Sequence, residues 1–428
     1  MVCCVSLGGS AFGWIRDLPV SVPGVLFLLM VGACDSASVP SVAAVRDSAG
    51  VTLVDNHPGE APLPYITRLD STYLRLGVLE GDPAYIFSSI VGLRELDGGG
   101  VLVAEGQAKE LRVYDASGLH VRTFGGSGDG PGEFGALSGL AGLAGDTVWV
   151  WDDQAARLTS YLTSGELIGT ITSAGDRYGR VAELHRLGDG SFVARSRWSL
   201  GTGGIPESSD RSLVRDSIVL RRLDAALQHV DTIAILQGSE SLREVNVVTS
   251  GQRAVSISMR STQRPFGRTS YYRPRLQGVV TATNDSFEWM VRALDGTVQL
   301  ISRVPDFNRP ISPGQITELR DWLLSFSQSP ERTREVEGFF EDFPMPDVAP
   351  AFGPVQVDPS GRVWLAEYKA IANTASNWMV FSPDGQLLGQ VEVPRGLEIH
   401  EIGDDYLLGV QRDEFDVPYV LRFRLVEI

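Results

Sequence analysis

The residues from 260 to 275 (RSTQRPFGRTSYYRPR) form the densest group of potential binding side chains in the sequence. Arginines and aromatic residues are interspersed there, in a chain whose formal net charge is −16. Guanidinium groups and aromatic faces together favour carboxylate, phosphate or sugar ligands. The candidate ligand-binding residues are Arg264, Phe266, Arg268, Tyr271, Tyr272, Arg273 and, if its strand lies next to them, Arg303. The alternative is a solvated loop whose arginines pair with surface acids.

Three carboxylates occupy equivalent places in a repeated pattern. Glu105, Asp152 and Glu367 close the runs VLVAE, VWVWD and VWLAE. Equivalent strand ends in a repeat protein meet at one face around a common axis, so these carboxylates could together hold calcium. The simpler interpretation is that each carboxylate accepts hydrogen bonds from backbone N–H groups of the loop that follows. Apart from this possible calcium ion, the sequence predicts no cofactor.

Other chemistries find little support in the residue pattern. The five histidines are scattered singly and have no cysteine partners, which argues against a zinc site. The glycine-rich run from 125 to 135 (GGSGDGPGEFG) lacks the Lys-Ser/Thr of a phosphate-binding loop and is interpreted as a turn-rich linker. No Gly-x-Ser-x-Gly motif marks a nucleophilic serine. The acidic net charge argues against nucleic acid as a partner.

The elements that would position these residues are short strands. Each acid-ending run follows a tight turn and precedes further strands, such as LRVYD and LHVRTF on either side of the turn residues ASG after Glu105. Strand, loop, strand, turn, strand, with one more strand leading in, is the four-stranded blade of a β-propeller. The pattern predicts an all-β fold with six blades, or seven as the alternative, in a domain from 51 to 428. Val51–Val54 is expected to pair with the C-terminal blade and close the ring.

The domain is too long for six compact blades, so insertions must be present. They are expected near 198–215, 261–275 and 308–350. Within the last, Pro313–Ser325 (PGQITELRDWLLS) has apolar residues at helical spacing and a proline near its start. These signals predict one short helical insertion.

The first 34 residues are interpreted as a lipoprotein signal peptide. An apolar run of 16 residues from Leu18 to Ala33 ends in VGAC and is short for a membrane span, which needs about 20 residues. The ending resembles a bacterial lipobox, in which Cys34 would carry the lipid; an ordinary secretory signal is the alternative. Residues 35–50 are small and polar, as expected of a flexible tether. The first 15 residues look unlike a normal start, so translation could begin downstream.

Several longer segments point to a known family. They are LRVYDASGLHVRTFGGSGDGPGEF, RPFG, VQVDPSGRVWLAE and GVQRDEFDVPYVLRFRL, which follow the signal and tether and span nearly the whole mature chain. In these segments the chain resembles the NHL-type six-bladed β-propeller lipoproteins of bacteria. The resemblance implies a propeller on the periplasmic side of a bacterial membrane, held there only by its N-terminal lipid. Such proteins mostly have no assigned activity.

Three functions stay open at this point, of which a ligand sensor coupled to a membrane partner is neither supported nor opposed by the sequence. The first is a binding or scaffold module for a periplasmic or cell-surface protein, peptide or glycan, because propeller loops offer a rigid recognition surface. The second is a metal-dependent enzyme of lactonase or lyase type, with a carboxylate-held ion on the propeller axis. No residue is assigned a catalytic role. Neither the membrane nor the oligomeric state follows from the sequence.

Overall fold

The computed structural model describes residues 42–59, 61–173, 179–198, 209–250, 253–327, 329–343, 345–371 and 376–428. Strands make up most of these ranges, together with two α-helices and a 3₁₀ turn at Pro83–Tyr85. The prediction of an all-β fold is therefore confirmed. Three strands come first in the chain: β1 (Val42–Ser48), β2 (Val51–His57) and β3 (Thr67–Leu76).

Six sheets follow one another along the described chain, each built from hairpin-connected antiparallel strands. The first comprises β4 (Ile90–Glu95), β5 (Val101–Glu105), β6 (Glu110–Tyr114) and β7 (His120–Gly125). The second comprises β8 (Gly139–Ala144), β9 (Thr147–Asp152), β10 (Arg157–Leu162) and β11 (Leu167–Thr172). The third comprises β12 (Val181–Arg186), β13 (Phe192–Trp198), β14 (Asp210–Leu223), β15 (His229–Ser250) and β16 (Arg253–Gln263).

The remaining three sheets include the strands from the start of the chain. The fourth comprises β17 (Ser270–Arg275), β18 (Gly278–Thr283), β19 (Glu288–Arg292) and β20 (Val298–Arg303), with β2 and β1 added outside β20. Helices α1 (Pro313–Ser325) and α2 (Pro330–Asp342) precede the fifth, which comprises β21 (Val355–Val357), β22 (Val363–Ala366), β23 (Ser376–Phe381) and β24 (Leu387–Val393). The sixth comprises β25 (Glu398–Ile402), β26 (Tyr406–Arg412), β27 (Pro418–Glu427) and β3.

Each sheet packs its two faces against the sheets before and after it. In β5, Val101 and Val103 join a core with Val420 of the sixth sheet. The alternate residues of the same strand, Leu102 and Ala104, pack against the second sheet. Comparable cores fill the other four junctions. Because both faces of β5 are buried, its sequence is continuously apolar instead of alternating.

The ring closes where β3 pairs with β27. The two strands are antiparallel, with Leu76 opposite Val420 and Thr67 opposite Glu427. The prediction that Val51–Val54 closes the ring was wrong, because this segment lies in β2 and pairs in parallel with β20 of the fourth sheet. A closing strand must lead by a short connection into the first sheet, and β3 is the strand that directly precedes β4.

The hairpin of β1 and β2 widens the fourth sheet from outside. Its turn residues, Ala49 and Gly50, both have positive φ, as in the type I′ turn that matches the twist of paired strands. The predicted tether at 35–50 is therefore too long, since Val42–Ser48 is a strand. Residues 35–41 lie outside the described residues.

Asn56 joins this hairpin to two sheets. Its buried Nδ2 donates to Ser302 Oγ (3.1 Å) in the fourth sheet and to the carbonyl of Gly385 (3.0 Å) in the fifth. Its Oδ1 accepts from the backbone N–H of Leu387 (2.8 Å). One amide thus ties the N-terminal hairpin to the turn between β23 and β24.

The predicted helix at Pro313–Ser325 is confirmed, and a second helix follows it. Ser312 caps α1 in a capping box with Gln315. The prediction of a single helical insertion was wrong, because Pro330–Asp342 forms α2. Ser329 and Pro330 are start signals for α2, but its strongly charged composition and Gly338 obscure an apolar stripe.

The third sheet reaches beyond its neighbours. Within the described residues, 217–223 of β14 pair with both β13 and β15, whereas 210–215 pair with β15 alone. The far end of β15 pairs with β16. The predicted insertion at 198–215 partly coincides with this extension, and 199–208 lie outside the described residues. The predicted insertion at 261–275 is not an insertion between blades. It consists of the end of β16, a short connection and the whole of β17.

Replacing Asn56 by alanine is expected to lower the free energy of unfolding by about 1–3 kcal/mol, because the buried N–H of Leu387 loses its partner, while the carbonyl of Gly385 keeps its hydrogen bond from Ser302 Oγ (2.7 Å). Urea unfolding followed by circular dichroism measures the loss. Asn246→Ala is the matched control, since Asn246 is exposed on β15, and a change within about 0.5 kcal/mol is expected there. Equal losses in both variants would contradict the structural role of Asn56.

Candidate functional site

The first strand of each sheet lies at the centre of the ring. Consecutive first strands contact one another from β4 to β8 to β12, and from β17 to β21, β25 and back to β4. Tyr272 of β17 completes the circle by reaching β12 through its hydroxyl. Strands arranged around an axis direct side chains into one central space. The polar side chains gathered there, termed the axial cluster, are Arg94, Glu183, His185, Tyr272, Arg273, Gln356 and His400.

Four of the six first strands carry a β-bulge near their beginning. The register slips at 90/92 in β4, 140/142 in β8, 181/183 in β12 and 399/401 in β25. A bulge adds one unpaired residue and changes the direction of nearby side chains. In β25 this residue is His400, which joins the axial cluster while Ile399 and Ile402 pack between sheets.

Glu183 is the most heavily hydrogen-bonded carboxylate of the axial cluster. The hydroxyl of Tyr272 donates to its Oε2 (2.6 Å), and Arg195 pairs with its Oε1. The ring of His185 lies 3.2 Å from the Tyr272 hydroxyl. Burial alone would raise the pKa of Glu183, but the interactions with His185, Arg195 and Tyr272 outweigh it and hold this pKa well below its ordinary value. Glu183 is therefore ionised at neutral pH.

Two guanidinium groups of the axial cluster bond to neutral partners. Arg273 donates from Nε to Gln356 Oε1 (3.0 Å) and from NH1 to its neighbour's carbonyl (2.8 Å). Arg94 donates to the carbonyl of Leu93 (2.7 Å). Within the described residues, no carboxylate oxygen lies within 4.0 Å of either guanidinium. Both positive charges thus stand on the axis without a direct counter-charge.

The two histidines of the axial cluster are neutral at pH 7. Burial lowers the pKa of His400 to about 4, and the positive charges of Arg94 and Arg273 act in the same direction. Burial also lowers the pKa of His185. Among the described residues, His400 Nε2 has no hydrogen-bond partner, and the nearest carboxylate oxygen, on Glu398, is 3.8 Å away.

The structure divides the predicted ligand-binding residues. Tyr272 and Arg273 belong to the axial cluster, and Tyr271 precedes them on β17 and packs near Phe352. The other predicted residues lie elsewhere.

Arg264 and Arg268 both pair with Glu240, and the side chains of Arg264 and Glu240 are each only 13% exposed. Phe266 is buried in a small core against α1. Arg303 pairs with Asp55 of β2, at the outer side of its sheet. Only the last part of the predicted segment therefore contributes to the axial site.

The three carboxylates predicted to hold calcium have other partners. Both oxygens of Glu105 accept backbone N–H groups, from Ser88 (3.0 Å) and Ser89 (2.7 Å) and from Ala108. Asp152 does the same with Gly135 (2.7 Å) and Ala155 (2.8 Å).

Glu367 forms ion pairs with Arg309 and Lys369, both at 3.0 Å. No group of three or more possible metal ligands occurs in the described ranges, so the three carboxylates are not brought together. Glu105 and Asp152 thus anchor nearby loops through backbone N–H groups, whereas the contacts of Glu367 are ion pairs with side chains.

Five residues of the axial cluster were missed by sequence reasoning: Gln356 and the charged or histidine residues Arg94, Glu183, His185 and His400. The signal that could have found the last four is a charged residue or histidine inside a short apolar strand, as in IVGLRE, VAELHR and EIHEI. Such residues are rare on strands that are packed on both sides unless they face a polar space.

The predicted signal peptide and lipidation site lie in residues 1–34, which the structure does not describe. Cys34 lies outside the described residues. In the described part of the chain, no helix has the length and apolar character to cross a bilayer.

The closed ring of radially stacked sheets defines the chain as a β-propeller. No protein-family model matches it, and no curated protein matches it. A putative exported protein from Bacteroides fragilis is 13% identical, with 85% of this chain and 96% of that chain covered and a TM-score of 0.46. A member of the DUF4221 family from Bacteroides vulgatus is 10% identical, with 85% and 99% covered and a TM-score of 0.48. Virginiamycin B lyase from Staphylococcus aureus is 10% identical, with 85% and 100% covered and a TM-score of 0.40. These likenesses are too distant to bear on the function of this chain.

Acidification is expected to destabilise the protein through His400. The unfolded chain takes up a proton at this residue near pH 6.5, whereas the folded chain does so only near pH 4. Stability therefore falls as the pH drops between these values, by roughly 3 kcal/mol at about 1.4 kcal/mol per pKa unit.

Urea unfolding at pH 7 and pH 4 tests this effect in the wild type and in His400→Gln, which should lose roughly 3 kcal/mol less. His57→Gln, at an exposed position, is the control and should keep the wild-type loss. An identical loss in the wild type and His400→Gln would refute the assignment.

Proposed function

We propose that this chain is an exported, lipid-anchored propeller of six blades that binds an anionic ligand at the axial cluster. The ligand class that fits is a peptide or glycan bearing a carboxylate. The binding role is non-enzymatic, as a periplasmic recognition module.

The observation that carries the proposal is the pair of axial guanidiniums without a direct counter-charge. The chain is acidic, and other arginines form ion pairs with carboxylates. Arg264 pairs with Glu240, and Arg195 pairs with Glu183. Arg94 and Arg273 are half-buried on the axis and pair with none in the described residues. Withdrawing a charge from water costs free energy unless an opposite charge compensates for it. An anionic ligand would supply that compensation.

The neighbouring groups narrow the ligand class. Glu183 is ionised and partly exposed, so it would repel a second anionic group on the ligand. It would instead accept a hydrogen bond from a hydroxyl or amide. Gln356 and the neutral histidines add polar groups without charge. A carboxylate on a peptide or sugar combines the required acceptor and donor groups, whereas a bare polyphosphate does not.

The lipid anchor and export rest on the signal sequence and Cys34. The six sheets and six intervening cores of the described residues support a six-bladed count. Resemblance to the NHL-type lipoproteins agrees with both inferences. In that arrangement the propeller stands close to a membrane and receives its ligand from the periplasm.

Removing either axial guanidinium is expected to weaken anion binding about tenfold or more, because a charge-assisted hydrogen bond is lost. Arg94→Gln and Arg273→Gln are compared with the wild type by calorimetric titration with sulfate. Arg75→Gln is the control, since Arg75 is exposed on the outermost strand of the sixth sheet. Sulfate affinity that is unchanged in both axial variants would rule out the proposed site.

Replacing Cys34 by alanine is expected to release the protein from the membrane fraction, because the thioether to the lipid can no longer form. Cell fractionation and metabolic labelling with palmitate measure the change. Cys3→Ala is the control and should remain labelled. A wild-type chain that takes up no palmitate would contradict the lipid anchor without affecting the axial site.

A further inference from the structure

His400 has an unused hydrogen-bonding atom in the axial cluster. Nε2 is buried and has no partner among the described residues. Leaving such an atom without a partner costs free energy, so native proteins keep few of them. Gln356 links the residue before this imidazole to one of the axial guanidiniums: its Nε2 donates to the carbonyl of Ile399 (2.6 Å), and its Oε1 accepts from Arg273 Nε (3.0 Å). The positive charges of Arg94 and Arg273 both act on His400. His400 Nε2, which has no hydrogen-bond partner, and the guanidiniums of Arg94 and Arg273, which have no direct counter-charge, thus belong to the same axial cluster.

Charged and polar groups face His400 from every strand packed around it. Arg94 comes from β4 and Arg273 from β17, and both are positive. From β21, Gln356 is neutral and holds β25 by donating to the carbonyl of Ile399 (2.6 Å). Besides Arg273, the titratable side chain that β17 contributes to the axial cluster is Tyr272, a phenol whose hydroxyl donates to Glu183 (2.6 Å).

The nearby carboxylates offer this imidazole little compensation. Glu398, on its own strand, is 77% exposed and 3.8 Å away. Glu401 accepts the backbone N–H of Glu95 (2.8 Å), and Glu95 itself pairs with Arg422. Burial raises the pKa of Glu401 and of Glu95, and Tyr406 of β26 lies beside both as a neutral phenol.

An anion at Arg94 and Arg273 would reverse the electrostatics around His400. At present the positive charges of Arg94 and Arg273 oppose protonation of His400. A bound anion would neutralise them and would offer an oxygen to accept a hydrogen bond from the protonated imidazole. Opposite charges separated by a few ångströms and shielded from water interact much more strongly than they do at the surface.

We propose that anion binding at Arg94 and Arg273 is coupled to the uptake of one proton by His400. The imidazole takes the proton from solvent, and its Nε2–H donates a hydrogen bond to the bound anion. The ligand is then held by two guanidiniums and one imidazolium, which suits an oxyanion with several acceptor oxygens, such as a carboxylate. Mild acid strengthens binding. This inference rests on the proposed anion-binding function.

Calorimetric titration of the full-length protein, purified in detergent, tests the coupling with sulfate as the probe. Sulfate keeps its double charge at about pH 5.5, 6.5 and 7.5, so any dependence of affinity on pH belongs to the protein. At each pH, two buffers with different ionisation enthalpies report the number of protons taken up. The wild type should bind up to about tenfold more tightly per pH unit of acidification, with uptake approaching one proton.

His400→Gln should lose both the proton uptake and the tightening in acid, while His57→Gln should keep both. Circular dichroism confirms that each variant is folded. Equal proton uptake in the wild type and in His400→Gln overturns the coupling, and so does sulfate affinity that is the same at every pH; both outcomes leave the anion site itself intact. Sulfate that fails to bind at any pH overturns the proposed function and the coupling together.

Discussion

The pairing of β3 with β27 is the interaction on which the ring depends. Each sheet is apolar on both faces, so a ring opened at any junction would expose two hydrophobic surfaces to water. Strands from opposite ends of the chain make this junction, with Leu76 opposite Val420 and Thr67 opposite Glu427. Their pairing also removes the free edge that an open sixth sheet would present. Ring closure thereby brings the first strands of all six sheets around a single axis.

The axis differs chemically from the cores between the sheets because the first-strand side chains that face the axis have no partner sheet to pack against. Leu93 points into a core, whereas the adjacent Arg94 joins the axial cluster. The bulges change which side chains of a first strand face the axis. Polar groups on the axis are partly withdrawn from water, so each charge there has a larger effect on its neighbours than a surface charge would have.

Much of the fold could be predicted from sequence because outer strands, turns and the α1 helix carry local signals. VLVAE and VWVWD repeat with their turns, and Ser312 with Pro313 marks a helix start. The choice of β3 over β2 for ring closure could not be made, since both are short strands near the start of the chain. Tyr272 and Arg273 were found through composition alone. Arg94, Glu183 and His400 are separated by long stretches of chain, and only ring closure brings them together.

The positive charge on the axis follows from how the nearby carboxylates are engaged. Glu183 forms an ion pair with Arg195 and accepts a hydrogen bond from Tyr272, and Glu95 forms an ion pair with Arg422. Burial raises the pKa of Glu401, which favours its neutral form. None of these acids is positioned to pair directly with Arg94 or Arg273 in the described residues. A chain with a net charge of −16 thus keeps a local positive site, because hydrogen bonding and burial have already committed the acids that could cancel it.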